Sequence, residues 1–202
     1  MTHAPSISDA DASSEQRADT PRLAPIEAPS AWKTRLVYLL SRWQEGTVIT
    51  PLKVVWARMP EGLRLAYEMD KHEAQLTLDP DLRLLVKKLV STINDCSFCE
   101  DIAAADAQDE NVSPEKWNAL LQYDDHPAFG DAEHAALAYA EEVTRETDAT
   151  DATFDALRPH FDERQIVELT WLVAMENYYN LLNRPLGIGA DDLCEANAGV
   201  TR

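Results

Sequence analysis

Basic side chains are scarce: 18 lysines and arginines stand against 36 aspartates and glutamates, a formal net charge of −18 over 202 residues. Phosphate backbones and anionic bilayers repel such a chain, and no basic stripe offsets the mean, so neither nucleic acid nor a membrane is an expected partner. No apolar run approaches the ~20 residues that cross a bilayer, and the polar N-terminus lacks the apolar centre of a signal peptide. The expected location is cytoplasmic. With only three cysteines, a disulfide-stapled secreted domain is excluded, and a reducing compartment makes a close cysteine pair catalytic or metal-binding rather than structural. Strand alternation and fixed-period repeats are missing too, which leaves an all-α fold. The "PLGIGA" stretch at 185–190 has neither the glycine spacing nor the strand-to-helix setting of a dinucleotide loop, and reads as a helix stop.

Residues 1–30 hold four of the eleven prolines, five serines and almost no large apolar residue. Burial there cannot offset the entropy of ordering the chain, so 1–30 is expected to be a disordered tail and 31–202 one helical domain. Ser30 can cap a helix carrying Trp32, Leu36, Val37, Leu39, Leu40 and Trp43 and ending at Gly46, expected to lie against the body of the domain. A second helix reads from "LRLAYEMDKHEAQ", with Leu63, Ala66, Tyr67 and Ala74 inward. Asp79 as N-cap and Pro80 at the first helical position open the clearest segment, in which Leu82, Leu85, Val86, Leu89, Val90 and Ile93 form one apolar face. The cysteines open the next helix, a short one follows Ser113, an alanine-rich one carries Ala132 to Val143, and another short one covers about 151–158. The last, from Asp162 to about Leu182, is apolar on every side between Ile166 and Leu182, which suits a subunit interface over part of its surface.

The stretch "STINDCSFCEDIAAADA" (91–107) places Cys96 and Cys99 three positions apart at a helix opening. Their Cβ atoms would lie roughly 5–6 Å apart, against about 3.8 Å in a disulfide, a gap that first-turn flexibility can close. Three readings stay open on the residues alone. The pair can cycle between dithiol and disulfide, or fill core space as small apolar residues. It can also be half of a zinc site, though that needs four ligands and Cys194 stands alone.

"LRLLVKKLVSTINDCSFCEDIAAADA", followed by "FDERQIVELTWLVAMENYYNLLNRPLGI", resembles the carboxymuconolactone decarboxylase-like, or alkylhydroperoxidase D-like, superfamily over about residues 50–190. The resemblance implies an all-α bundle that assembles into trimers or hexamers. In the peroxidase branch it implies a CxxC pair that reduces a peroxide without metal or organic cofactor: Cys99 attacks the peroxide, Cys96 resolves the sulfenic acid, and a thiol or dithiol partner restores the pair. That branch also has a glutamate twelve residues before the first cysteine and a histidine four after the second, and here those positions are Leu84 and Ala103. The branch that names the family implies instead a lyase acting on a lactone carboxylate, without reliance on CxxC. A member that has kept the scaffold and lost catalysis is the third possibility.

The missing relay matters because an ordinary cysteine is only about 3% thiolate at pH 7. A helix N-terminus helps by about 0.3–1 kcal/mol, while Asp95, Glu100 and Asp101 each oppose by roughly 0.7 kcal/mol at ~6 Å in water. A base or cation from elsewhere is therefore expected, with Lys88, His72, His126, His134 and His160 available, each more simply a solvated group. Glu168, Glu176, Asn177 and Asn180 are polar groups in an apolar helix and need partners, through helix-to-helix bonding or beside the cysteines. Trp32, Trp43, Trp56, Trp117 and Trp171 read as packing residues, and Cys194 as an incidental thiol.

Overall fold

The computed structural model describes residues 20–44, 46–110 and 112–194. Among these the regular structure is helical: α1 (Trp32–Gln44), a π turn (Leu52–Trp56), α2 (Pro60–Glu73), α3 (Pro80–Ile93), α4 (Ser97–Glu110), α5 (Pro114–Ala119), α6 (Asp131–Glu146), α7 (Asp151–Leu157) and α8 (Glu163–Asn183). The expectation of an all-α domain holds. Asp79 caps α3 by accepting from the N–H groups of Asp81 and Leu82, at 2.9 and 3.4 Å. Asp162 and Gln165 cap α8 reciprocally, satisfying two amides that helix geometry leaves without partners.

Central α3 packs on α4, α6 and α8. Its face of Leu82, Leu85, Val86, Leu89 and Val90 is buried as its spacing predicts, in a cluster with Leu137, Leu157, Leu169 and Leu172. A second cluster gathers Tyr38, Val48, Val54, Trp56, Phe98, Ile188 and Leu193 around Cys96 and Cys99. It joins segments from both ends of the described chain.

Three expectations need correction. The tail assigned to 1–30 falls outside the described residues up to 19, but from Thr20 the chain is tied to the domain: Arg22 N–H donates to the Leu186 carbonyl at 2.8 Å, and Tyr38 Oη donates to the Ile26 carbonyl at 2.7 Å. Specific backbone bonds, which composition does not reveal, hold it. Helix α1 meets the body through Thr34, Tyr38 and Ser41, while Trp32 (70% exposed), Leu36, Leu39, Leu40 and Trp43 (77% exposed) point outward. Its polar face is the inner one, where Tyr38 and Ser41 donate to the backbone carbonyls of Ile26 and Thr47. In α2, Leu63 and Ala66 are half-buried, but Tyr67 and Ala74 are exposed.

Gly187 ends the 3-10 turn after α8 in the left-handed region, φ 67°, and a Cβ there would meet the Thr20 carbonyl oxygen at 2.7 Å. The glycine stops the helix, as read from "PLGIGA", and lets the N-terminal segment pass close by.

Candidate functional site

The turn between α3 and α4 builds the site. Asp95 takes the left-handed conformation, φ 54°, which aspartate tolerates better than most residues. Its N–H donates to Thr92 O at 3.0 Å and that of Cys96 donates to Ser91 O at 2.9 Å, the paired bonds of a Schellman stop. The Cys96 carbonyl then accepts from Glu100 N–H, so one residue closes α3 and opens α4. Cys99 follows as the third residue of α4. The two sulfurs form a disulfide, with Cα atoms 5.3 Å apart. They lie deep, Cys96 being 1% and Cys99 2% exposed.

Helix α8 holds this turn with a polar face inside an otherwise apolar helix. Glu176 accepts from Ser91 Oγ and Asn180 Nδ2, both at 2.8 Å, and Asn94 Nδ2 reaches Asn177 Oδ1 and Asn180 Oδ1, both at 2.8 Å. Asn183 Nδ2 donates to Cys99 Sγ at 3.5 Å. Burial pushes the Glu176 carboxyl up, against the opposing pull of Lys87, Ser91 and Asn180. Burial would depress Lys87, but Glu73, Asp106 and Glu176 outweigh it and hold the ammonium above its ordinary range. Lys87 Nζ lies 3.1 Å from Glu73 Oε1.

The acids next to the cysteines have partners of their own. Asp95 pairs with Arg184 at 2.7 Å. Asp101 accepts from the N–H groups of Asp191 at 2.8 Å and Leu193 at 3.0 Å, and Asp191 in turn accepts from Thr50 N–H at 2.6 Å. These bonds strap residues 191–193 over the cysteine cluster. Glu100 acts on Lys88, whose ammonium burial depresses and Glu100 raises.

Of the cations and bases considered from sequence, Lys88 donates to the Trp117 carbonyl at 2.5 Å and sits 4.2 Å from that ring's centre, beside a cavity lined also by Ser97, Glu100, Asp101 and Ala104. His72 stacks edge-on against Trp171, while His126 and His134 flank Phe129. His160 closes the turn after α7. The rings of His72, His126 and His134 touch the first cluster or its edge rather than the disulfide. Leu84 and Ala103, at the relay positions, are buried. Glu168 serves another part of the fold, accepting from Thr77 and Arg164. Trp56 is buried as read, whereas Trp32 and Trp43 are not. Cys194 is a free, partly buried thiol packed against the second cluster. Asn183 and Lys87 escaped the sequence reading. For Asn183 the signal was there, because it continues the Glu176 and Asn180 face one turn further.

A model of the carboxymuconolactone decarboxylase family matches residues 60–142. The uncharacterized Escherichia coli K12 protein YnjA is 32% identical over 173 residues, 84% of this chain and 90% of its own. The chain belongs to the carboxymuconolactone decarboxylase family. Among solved structures, an Agrobacterium tumefaciens protein of unknown function, named as a candidate AhpD antioxidant defence protein, is 26% identical. It superposes with a TM-score of 0.62 over 66% of this chain and 93% of its own. A peroxidase-related protein from Silicibacter sp. TM1040 gives 0.73 at 21% identity over 84% and 91%, a likeness of fold. Both fit the AhpD-like helical architecture of this family.

Among the described residues no helix is long and apolar enough to cross a membrane, and no three His, Cys, Asp or Glu side chains converge as metal ligands would.

Proposed function

We propose that this family member is a cytoplasmic thiol oxidoreductase of the peroxidase type, in which Cys99 attacks a small peroxide and Cys96 resolves the product into the disulfide. The observation that carries the reading is the Cys96–Cys99 bond at the start of α4, with a side-chain donor on Cys99. A thiol or dithiol reductant returns the pair to the reduced form. Peroxide added to the reduced protein should remove two free thiols, and Cys99→Ser should prevent the loss. Thiols unchanged at excess peroxide would reject the reading. Turnover of a lactone acid after both cysteines are replaced by serine would favour the lyase.

The sulfurs are covered by the 48–56 and 186–193 segments, so reductant has to enter as the strap opens. The same reading includes a homo-oligomer, trimer or hexamer. Support comes from the outward stripe of α1 and from a second on α8, where Val167, Trp171, Ala174, Tyr178 and Leu181 recur at steps of four and three with Val167 and Leu181 well exposed. Both stripes suit cover by further copies.

A further inference from the structure

We propose that Asn183 is the group that activates Cys99, its side-chain amide stabilising negative charge on Sγ both when the sulfur attacks and when it leaves. The inference rests on the thiol reading above and names what takes the place of the absent glutamate and histidine.

Cys99 is buried, and burial alone disfavours a thiolate. Its place in the first turn of α4 aims helix amides toward the charge. Asn183 adds an N–H at 3.5 Å from Sγ. The donor is held in place: Asn183 is itself buried, its backbone carbonyl accepts from Ile188 N–H at 3.1 Å, and the same α8 face is bonded through Asn180 to the turn that carries Cys96. A fixed donor to a charged acceptor is the stronger kind of hydrogen bond. Glu176 of α8 bonds Ser91 rather than Cys99, and the charges that act on it are Lys87 of α3 and Glu73 of α2, themselves paired. The charged groups nearest the thiol in sequence are Asp95, paired to Arg184, and Glu100 and Asp101, engaged as described.

The oxidising half begins when the Cys99 thiolate forms a bond to one peroxide oxygen. The O–O bond breaks, and the departing alkoxide takes the proton that Cys99 released. The Cys96 sulfur then displaces hydroxide from the sulfenic acid, and the proton of Cys96 completes water. In the reducing half a thiolate of an external dithiol attacks Cys96 Sγ and the S–S bond breaks. Cys99 leaves with the electron pair, held by the Asn183 N–H, and the second thiol of the reductant frees Cys96. One donor thus sets the direction: peroxide meets Cys99 and reductant meets Cys96.

The test is a pH titration of the reduced full-length chain carrying Cys194→Ser, with iodoacetamide labelling of each cysteine followed by peptide mapping. The midpoint rather than the rate is read, so limited access does not confuse it. We expect the Cys99 midpoint to lie below that of Cys96, and Asn183→Leu to raise it by about one pH unit, cutting thiolate at pH 7 about tenfold. Asn183→Asp, nearly isosteric and without the donor, should raise it at least as far. Equal midpoints in the two cysteines of the unsubstituted site, or a Cys99 midpoint unmoved in a folded Asn183 variant, would overturn the proposal. No peroxide is used, so a shifted midpoint beside thiols inert to peroxide would retain Asn183 and reject only the proposed oxidant.

Discussion

The cluster around α3, α6 and α8 and the cluster around the cysteines differ in how far along the chain their parts lie. The first is drawn from continuous amphipathic helices, with Leu85, Leu137, Leu157, Leu169 and Leu172 all fully buried. The second unites Tyr38, Val54, Cys99 and Leu193, brought together by a few bonds: Asp101 to residues 191 and 193, Asp191 to Thr50, and Arg22 to Leu186. Joining distant segments carries more loop-closure entropy for fewer contacts, and such regions open before the rest of a fold does. The proposed reaction at buried sulfurs needs that opening, and the sulfurs lie in the region that can supply it.

Truncation should separate the two regions most sharply. Leu169→Ala should cost about 3 kcal/mol of global stability in urea, within the usual range for a buried leucine. Leu193→Ala removes an equally buried side chain, yet should move the urea midpoint far less while speeding amide exchange in residues 186–193. Equal midpoint shifts would mean one cooperative core and break the comparison. Next in size is Asp101→Asn, which loses charge-assisted bonds worth about 1–2 kcal/mol. Since ~1.4 kcal/mol is a factor of ten in rate, reduction of the Cys96–Cys99 disulfide by dithiothreitol should become several-fold to tenfold faster. An unchanged rate would show that the 191–193 strap is not what limits access.

The same division explains what could be read from the sequence. Helix periodicity and capping are local, and they placed α3, α6 and α8 and the cap Asp79. The CxxC at a helix opening was legible for the same reason, as was the presence of polar groups on α8. Whether those groups bonded helix to helix or served the cysteines was not, and the structure joins the two: Asn180 does the first at the turn carrying the second. The partners of Asp95, Asp101 and Asp191 lie about ninety residues or more away and leave no periodic trace. Composition misjudged residues 20–30 because backbone bonds are blind to side-chain type. Helix α1 misled because apolar spacing reveals a face, and not what covers it.

Two carboxylates on α8 should respond to pH with opposite sign, one in each region. Burial would raise Glu168, but its bonds from Arg164 and Thr77 prevail and hold the carboxyl below its ordinary value. Its contribution is therefore present above the unfolded pKa, about 4.3, and lost as pH falls through the lower folded value. Glu168→Gln should cost on the order of 1 kcal/mol at pH 7, discounted for the solvent around Arg164, and that cost should fade as the pH falls through the folded value. Glu176 is held up by burial. Its stabilising effect is present below the unfolded pKa and fades as pH rises through the higher folded value. Glu176→Gln should therefore gain on the parent chain as the pH rises from about 4. Parallel curves for the two variants would show that the α8 face near the cysteines is electrostatically no different from its other end.

The smallest effect on the folded chain, and the clearest on assembly, is expected at α1. Trp32, Leu36, Leu39, Leu40 and Trp43 are each at least 47% exposed on one face. At 150–250 Å² for an aromatic side chain, the stripe offers on the order of 500–600 Å² of apolar surface. That falls short of the about 800 Å² per partner in a standard interface, a deficit the α8 stripe would fill. We therefore expect a second copy of this chain to cover α1. Trp43→Arg should change the stability of the isolated chain by less than about 0.5 kcal/mol, as for an exposed site, while lowering the sedimenting mass by at least half at micromolar concentration. Leu181→Arg tests α8 in the same way. If it dissociates the particle and Trp43→Arg does not, the copies meet through α8 alone. An intact particle with both substitutions would mean that neither stripe is covered by a copy, and the contrast between an inner region that folds the chain and an outer one that meets its partners would have to be drawn elsewhere.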